Sequence, residues 1–546
     1  MSRQQKKVLL LLIGLGAAYF ILFLFPNLTG AKDENMLTVF SVDEYAQYPH
    51  VLHMLTPGST LMESLHNFLV YVHYFYGFPF YFLSAVSILP LKLIYGAGWA
   101  AHTQAIVTVM RQVVSVLPML LAAGLLVWMR TRFQSYWKPA ALFLLILSIP
   151  GLVLNNLWWH TDSLGVLFMV LVFFFLDRDN LLFGRNFFLA AAACGLATGI
   201  KYFGLYFFIA IPIYLVWGMV THRIAWKRTI VYAALFVLVM AVALVASNPL
   251  LLLPQERAEI IATQTLQFHQ ITYGMLLRDT QPLFNWNNYP DVFRTFYGEL
   301  LFILLALGGL VYGLVKSPRR WLEALFLAWV LPLTYMAEFT GTKRVHYLLP
   351  VVVLVVAGLA NWFYLDGGEK TAKFFSLRAW RKWLPYAAAL VIAVQVVLFV
   401  RMDAGLYTQT LYREQDSPTF TFYNHLNQAY LSKLPADMPL VFYRDWLIYV
   451  PPGPHWRVNI NWNLASYGSL TDPPPDFILI EQANVTLFAN PATLQNAADP
   501  GVMRDHIKFY LDVRDDKVPG YHLLFGDGFG YAMVKDAIYQ EYLSQP

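Results

Sequence analysis

Residues 68–95 read FLVYVHYFYGFPFYFLSAVSILPLKLIY, and whether they cross a bilayer decides the fold of this chain. The run is apolar and long enough to span, yet it is crowded with Tyr and His residues. If it crosses, every later loop changes side. Other apolar runs lie near 8–25, 104–129, 139–156, 163–176, 186–201, 203–220, 229–247, 297–315, 321–338, 345–364 and 384–401. Lysine and arginine decide between the two topologies, because they accumulate on the inner face of short loops. With 68–95 held out of the count, the inside loops carry Arg3, Lys6 and Lys7; Arg130, Arg132 and Lys138; Arg178 and Arg185. The next three carry Arg223, Lys227 and Arg228; Lys316, Arg319 and Arg320; Lys370, Lys373, Arg378, Arg381 and Lys382. That is 19 of the 38 basic residues, against a sparse outside set such as Lys32, Lys92, Arg257, Arg278 and Arg294. Counting 68–95 as a span puts nearly all those basic loops outside. The run is therefore read as a helix lying in the interface, within one long outside loop over 26–103.

The expected fold is a polytopic α-helical membrane protein of about eleven transmembrane helices, with the N-terminus cytoplasmic and the C-terminus extracytoplasmic. Composition agrees: of 546 residues, 58% are hydrophobic and only 13% charged, where soluble chains carry about a quarter charged. The net charge of +5 is spent on loops at the membrane, so it does not indicate nucleic acid. Cys194 is the only cysteine, which excludes an intrachain disulfide. Met1 to Lys7 and the apolar run after them resemble a signal peptide. The run is long for one and no small-x-small cleavage site follows, so it is read as a retained anchor.

From about 403 onward charges and prolines return, and the chain divides into a transmembrane part, 1–402, and a soluble extracytoplasmic α/β domain, 403–546. Strands are expected at 439–443, 476–481, 521–525 and 530–534, with helices near 418–433 and 491–511. No internal repeat is visible.

Ionisable groups in or beside apolar spans cost about 2.5–3.5 kcal/mol each on insertion scales, so each is a candidate for function. In this topology they converge at one depth: Asp43 and Glu44, Arg111, His160 and Asp162, Lys201, and Glu338, Lys343, Arg344 and His346. A carboxylate there can take the proton of an attacking hydroxyl. Cations in a low-dielectric pocket can hold a lipid-linked phosphate as it leaves. Competing readings exist for several. Ser41 and Glu44 fit a capping box, Asp162 can cap its helix, and Lys201 can snorkel. Lys343, Arg344 and His346 can serve as a headgroup anchor. Trp158, Trp159, Trp286 and Trp362 read as an interfacial aromatic belt rather than a substrate platform.

These residues resemble the motifs of the membrane-embedded GT-C glycosyltransferases, nearest the branch of protein O-mannosyltransferases and lipid A aminoarabinose transferases. Asp43-Glu44-x-x-Gln47 resembles that branch's Asp-Glu motif, and Arg111-Gln-Val-Val-Ser115 its Arg-x-x-Ser helix start. Residues 156–165 resemble its acidic turn and 195–202 its Gly-Leu-x-x-Gly-x-x-Lys segment. Lys343-Arg-Val-His-Tyr-Leu-Leu-Pro350 matches the start of a late helix, so the likeness covers roughly 35–360 in order. It implies a polyprenyl-phosphate sugar as donor, of dolichyl or undecaprenyl type, with inversion at the anomeric carbon and transfer to an acceptor hydroxyl on a glycan, lipid or protein. It implies Asp43 as base or substrate orienter, with Glu44 and Asp162 beside it as acids. Arg111, Lys201, Lys343, Arg344 and His346 would hold donor phosphate. One departure stands out. A His-Pro-Pro or Glu-Lys-Pro-Pro motif of the branch is replaced here by Tyr76-Gly-Phe-Pro79, with His73 nearby. Some relatives hold a divalent metal at that motif, which makes His73 and Glu44 the candidate ligands. The alternative class is a polytopic transporter or lipid flippase, which should show paired repeats or broken helices at midplane.

Overall fold

The structure is a computed structural model, in which residues 1–274, 277, 293–339, 344–364, 380–461, 464–470 and 473–544 are described. Among the described residues six helices are individually long and apolar enough to cross a membrane, including Arg3–Asn27, Thr103–Thr131 (with an internal π-helical turn), Trp226–Ser247 and Phe78–Ala101, which the sequence reading laid in the interface. Shorter apolar helices such as Trp137–Leu147, Arg185–Ile200 and Leu300–Lys316 pack among them. The sequence expectation of about eleven spans counts both kinds.

Polar groups gather at the two ends of this bundle. At one end Asp177, fully buried, accepts from Arg132 and Arg319, each at 2.5 Å. Arg130 makes a two-pronged bond to Glu323, and Gln5 near the N-terminus donates to the Arg132 carbonyl. The helix Asp162–Asp179 runs from this cluster to Asp162, about 25 Å away at 1.5 Å per residue. The candidate site residues lie at that second end.

The stretch 68–95 is not one helix. A short helix, Leu61–Leu69, ends just inside it, residues 70–77 are irregular, and a second helix runs Phe78–Tyr95. The break has a steric cause. Val72 adopts φ 61°, and a Cβ on Gly77 would lie 1.5 Å from the Gly199 carbonyl oxygen. The Gly77 amide donates to the Ile200 carbonyl and the Phe78 amide to the Asn248 side chain. Close approach of two backbones won over apolar periodicity.

Helix Trp380–Asp416 has 37 residues, about 55 Å, well beyond the ~30 Å of a bilayer core. The boundary expected at 402–403 therefore falls inside a helix. Its far end is fastened to the first loop: Arg413 donates to Thr29 Oγ1 at 3.0 Å, and Glu414 accepts from the Gly30 amide and from Lys32.

Beyond it lies a five-stranded sheet of order β2-β1-β3-β5-β4. β1 (Leu440–Asp445), β2 (Trp456–Asn461) and β3 (Phe477–Glu481) are parallel, while β4 (Tyr521–Gly526) and β5 (Gly530–Lys535) run antiparallel. Alternation along the strands sends Tyr443, Ile478 and Ile480 toward helix Pro500–Arg514, and Phe442, Phe477 and Leu479 toward helix Pro418–Ala429. Four strands appear close to their expected positions; β2 was not expected. Arg444, fully buried, keys this domain to the membrane part through Nη2, which donates to the Asn35 carbonyl at 3.1 Å and to Thr38 Oγ1 at 2.9 Å. Tyr449 donates to Asp33, and Asn35 to the Val450 carbonyl.

Candidate active site

Helix Val42–Met54 begins at Ser41 and presents Asp43 and Glu44 in its first turn. Ser41 makes no side-chain cap, so the expected capping box does not form; both Glu44 oxygens are engaged elsewhere. Arg111 Nε and Nη2 donate to Glu44 Oε1 and Oε2 at 2.7 and 2.5 Å, and the Trp159 amide donates to Oε1 at 2.5 Å. Arg111 Nη1 donates to the carbonyls of Asn27 and Thr29, each at 2.8 Å. Both side chains of this pair are fully enclosed. Arg111 also opens the π-helical turn Arg111–Val116, which displaces it from the regular ladder. The pair ties three distant segments together and turns Arg111 inward, toward protein.

A second ion cluster lies beside it. Asp162 begins its helix without capping it; Oδ1 meets Lys201 Nζ at 2.5 Å, and Oδ2 lies 2.7 Å from His160 Nδ1. The latter contact is at ion-pair distance. His346 Nε2 lies 3.9 Å from Asp162. His160 Nε2 pairs with the Tyr76 hydroxyl at 2.8 Å. Tyr76 reaches that position because Gly77 is pressed on Gly199, at the end of the helix that delivers Lys201. Lys201 Nζ then stands 6.0 Å from the Tyr76 ring and 5.5 Å from the Tyr347 ring.

Asp43 differs from the other two acids. It is half-buried, within electrostatic range of the Tyr76, Tyr81 and Tyr347 hydroxyls, and no hydrogen bond or ion pair engages its carboxylate among the described residues. Arg344 is exposed and acts electrostatically on His346 and Tyr347. The structure thus brings Asp43, His160, Asp162, Lys201, Arg344 and His346 to one place. Lys343 and Trp286 lie outside the described residues.

The residues expected to hold a divalent metal do not fit one. Glu44 has both oxygens committed, and His73 Nδ1 is 2.5 Å from the Tyr81 hydroxyl. Burial, then the neighbouring His50, pushes His73 down to about 4. Among the described residues no three His, Cys, Asp or Glu side chains cluster as metal ligands.

The aromatic-belt reading also needs correction. Trp159 is fully buried, donates to Ser84 at 2.9 Å and stacks on Phe80. Trp158 stacks on His160 inside the site. Sequence reasoning missed Tyr76 and Tyr347 as site members. The signal available for both was adjacency: Tyr76 opens the departing motif and Tyr347 follows His346.

This arrangement defines a class first: a bundle of apolar helices with carboxylates and cations gathered at one end. Among solved structures, the chain shares its fold with ArnT from Cupriavidus metallidurans bound to undecaprenyl phosphate, at TM-score 0.52 and 14% identity, covering 95% of this chain and 97% of that one. The fold is thus that of ArnT, and among the described residues six helices are long and apolar enough to cross a membrane. The archaeal oligosaccharyltransferase AglB from Archaeoglobus fulgidus, in complex with an inhibitory peptide and a dolichol-phosphate, matches at TM-score 0.41 and 12% identity, over 84% of this chain and 66% of that one. No protein-family model and no curated protein matches the sequence.

Proposed function

We propose that this protein is an inverting glycosyltransferase that moves a sugar from a polyprenyl-phosphate donor to an acceptor hydroxyl at the outer membrane face. The observation that carries it is Asp43. Of three acids at the site, Glu44 is closed by Arg111 and Asp162 by Lys201, while Asp43 is free to accept a proton. In the reaction Asp43 takes the acceptor's hydroxyl proton as its oxygen attacks the anomeric carbon. The bond from that carbon to the donor's phosphate oxygen breaks, and its electron pair leaves on the phosphate. Lys201 and Arg344, with Lys343 and His346 from the same motif, stabilise that charge in a site partly shielded from water. The phosphate-binding expectation for Arg111 gives way to a positioning role: with Glu44 it holds the first turn that presents Asp43. Asp162 orients Lys201 and His160. That ArnT, which shares this fold, is bound to undecaprenyl phosphate supports the lipid-phosphate donor.

The test is incubation of the purified protein with a panel of polyprenyl-phosphate sugars, scoring release of lipid phosphate in a single turnover. Asp43→Asn should slow the responsive donor by about 10²–10⁴ while donor binding and melting temperature hold. Near-wild-type turnover in that variant refutes the assignment of the base.

A further inference from the structure

The geometry points to Trp158 as the platform on which the donor's sugar ring stacks; this rests on the glycosyl-transfer reading and specifies its sugar subsite. The Trp158 ring lies parallel to that of His160, with centroids 4.2 Å apart and an interplanar angle of 3°. Its one other ring neighbour among the described residues is His346, at 5.7 Å and tilted by 55°. Both imidazoles belong to the Asp162 cluster, so this indole is built into the polar site and not into a lipid-facing belt.

The mounting is rigid. His160 is held by the Tyr76 hydroxyl at one ring nitrogen and lies against Asp162 at the other, while its amide donates to Ser115. Trp158 itself remains half-buried. A sugar ring has one face of C–H bonds whose hydrogens are slightly positive, and an aromatic face carries negative quadrupole density. Stacking there requires no hydrogen-bond match, so it orients the ring and leaves its hydroxyls to other groups. The contact strengthens during reaction. Glycosyl transfer passes through an oxocarbenium-like transition state, and positive charge on the ring is drawn to the indole face as a cation is. Trp158 and Asp43 then act on the same anomeric carbon, one on the sugar and one on the attacking hydroxyl.

The experiment compares two kinds of probe on the purified full chain: bare undecaprenyl phosphate, and undecaprenyl phosphate carrying glucose, mannose or arabinose. Wild type should bind at least one sugar-bearing lipid more tightly than the bare lipid. Trp158→Leu should weaken that ligand about tenfold, leave the bare lipid within about twofold, and keep its melting temperature. Trp158→Phe should recover part of the loss. Equal loss for both probes, an unchanged sugar increment, or no sugar increment in wild type overturns the platform while leaving the lipid-phosphate reading standing. Absence of lipid-phosphate binding and turnover in wild type overturns the reading itself, and the platform with it.

Discussion

Arg111 and Glu44 share two hydrogen bonds with no exposed surface on either side chain, and this pair makes a quantitative demand. Glu44→Gln leaves the guanidinium enclosed with the Asn27 and Thr29 carbonyls but no counter-charge. Arg111→Gln leaves a carboxylate enclosed with only the Trp159 amide and whatever the new amide supplies. Breaking a buried pair from one side costs about 3–5 kcal/mol, because the surviving charge stays out of water. Replacing both partners together removes the stranded charge, so Arg111→Gln with Glu44→Gln should cost clearly less than the two single changes added. The expected coupling is at least about 2 kcal/mol by double-mutant cycle, read from unfolding in mixed detergent micelles. Turnover should fall in all three variants, since each loosens the turn that presents Asp43. Additive single costs, or a Glu44→Gln protein with wild-type stability, would show that the pair is open to water and that the positioning role is wrong.

Two further outcomes follow from other contacts. Gly77→Ala must separate two backbones, because its added Cβ would lie 1.5 Å from the Gly199 carbonyl oxygen; it should cost at least about 1–3 kcal/mol and lower turnover by carrying Tyr76 away from His160, whereas unchanged turnover would detach Tyr76 from the site. In the C-terminal domain, burial and then neighbouring Asp445 raise Glu481 from about 4.5 to about 8. The folded chain therefore keeps a proton that the unfolded chain loses between those values, so the Glu481 contribution to stability is fully present below pH 4.5, declines as pH rises to about 8, and levels beyond. Melting temperature from pH 5 to 9 should slope less in Glu481→Gln, and an identical slope would show that Glu481 does not titrate there.

Much of the site was legible because a charge in an apolar run announces itself. Asp43, Asp162, Lys201 and His346 were visible in that way, and the structure gathers them. What a single sequence does not show is which charges satisfy one another. Arg111 and Glu44 are 67 residues apart, and their mutual closure converts two apparent catalytic groups into a strut. A depth argument could have raised the suspicion, since a carboxylate and a guanidinium enclosed at one level must pair. The break at 70–77 was hidden because its cause is Gly199, in another helix altogether. β2 was hidden because WRVNIN alternates weakly and follows a run of prolines. The β1, β3, β4 and β5 strands were plain because each is a short apolar run bounded by charges or turn residues.

The fastening of the first loop by Arg444 has a consequence for biosynthesis. The Asn35 carbonyl and Arg444 are separated by 409 positions, so the segment that leads into Asp43 emerges among the first and its partner among the last. Chains fold as they are made, N-terminal elements first. Helix Glu34–Phe40 must therefore wait, with its polar groups provisionally solvated, until nearly the whole polypeptide has been inserted and the sheet assembled. A ribosome stalled after the last membrane helix but before residue 444 would leave Asp43 present and the segment that leads into it not yet fastened.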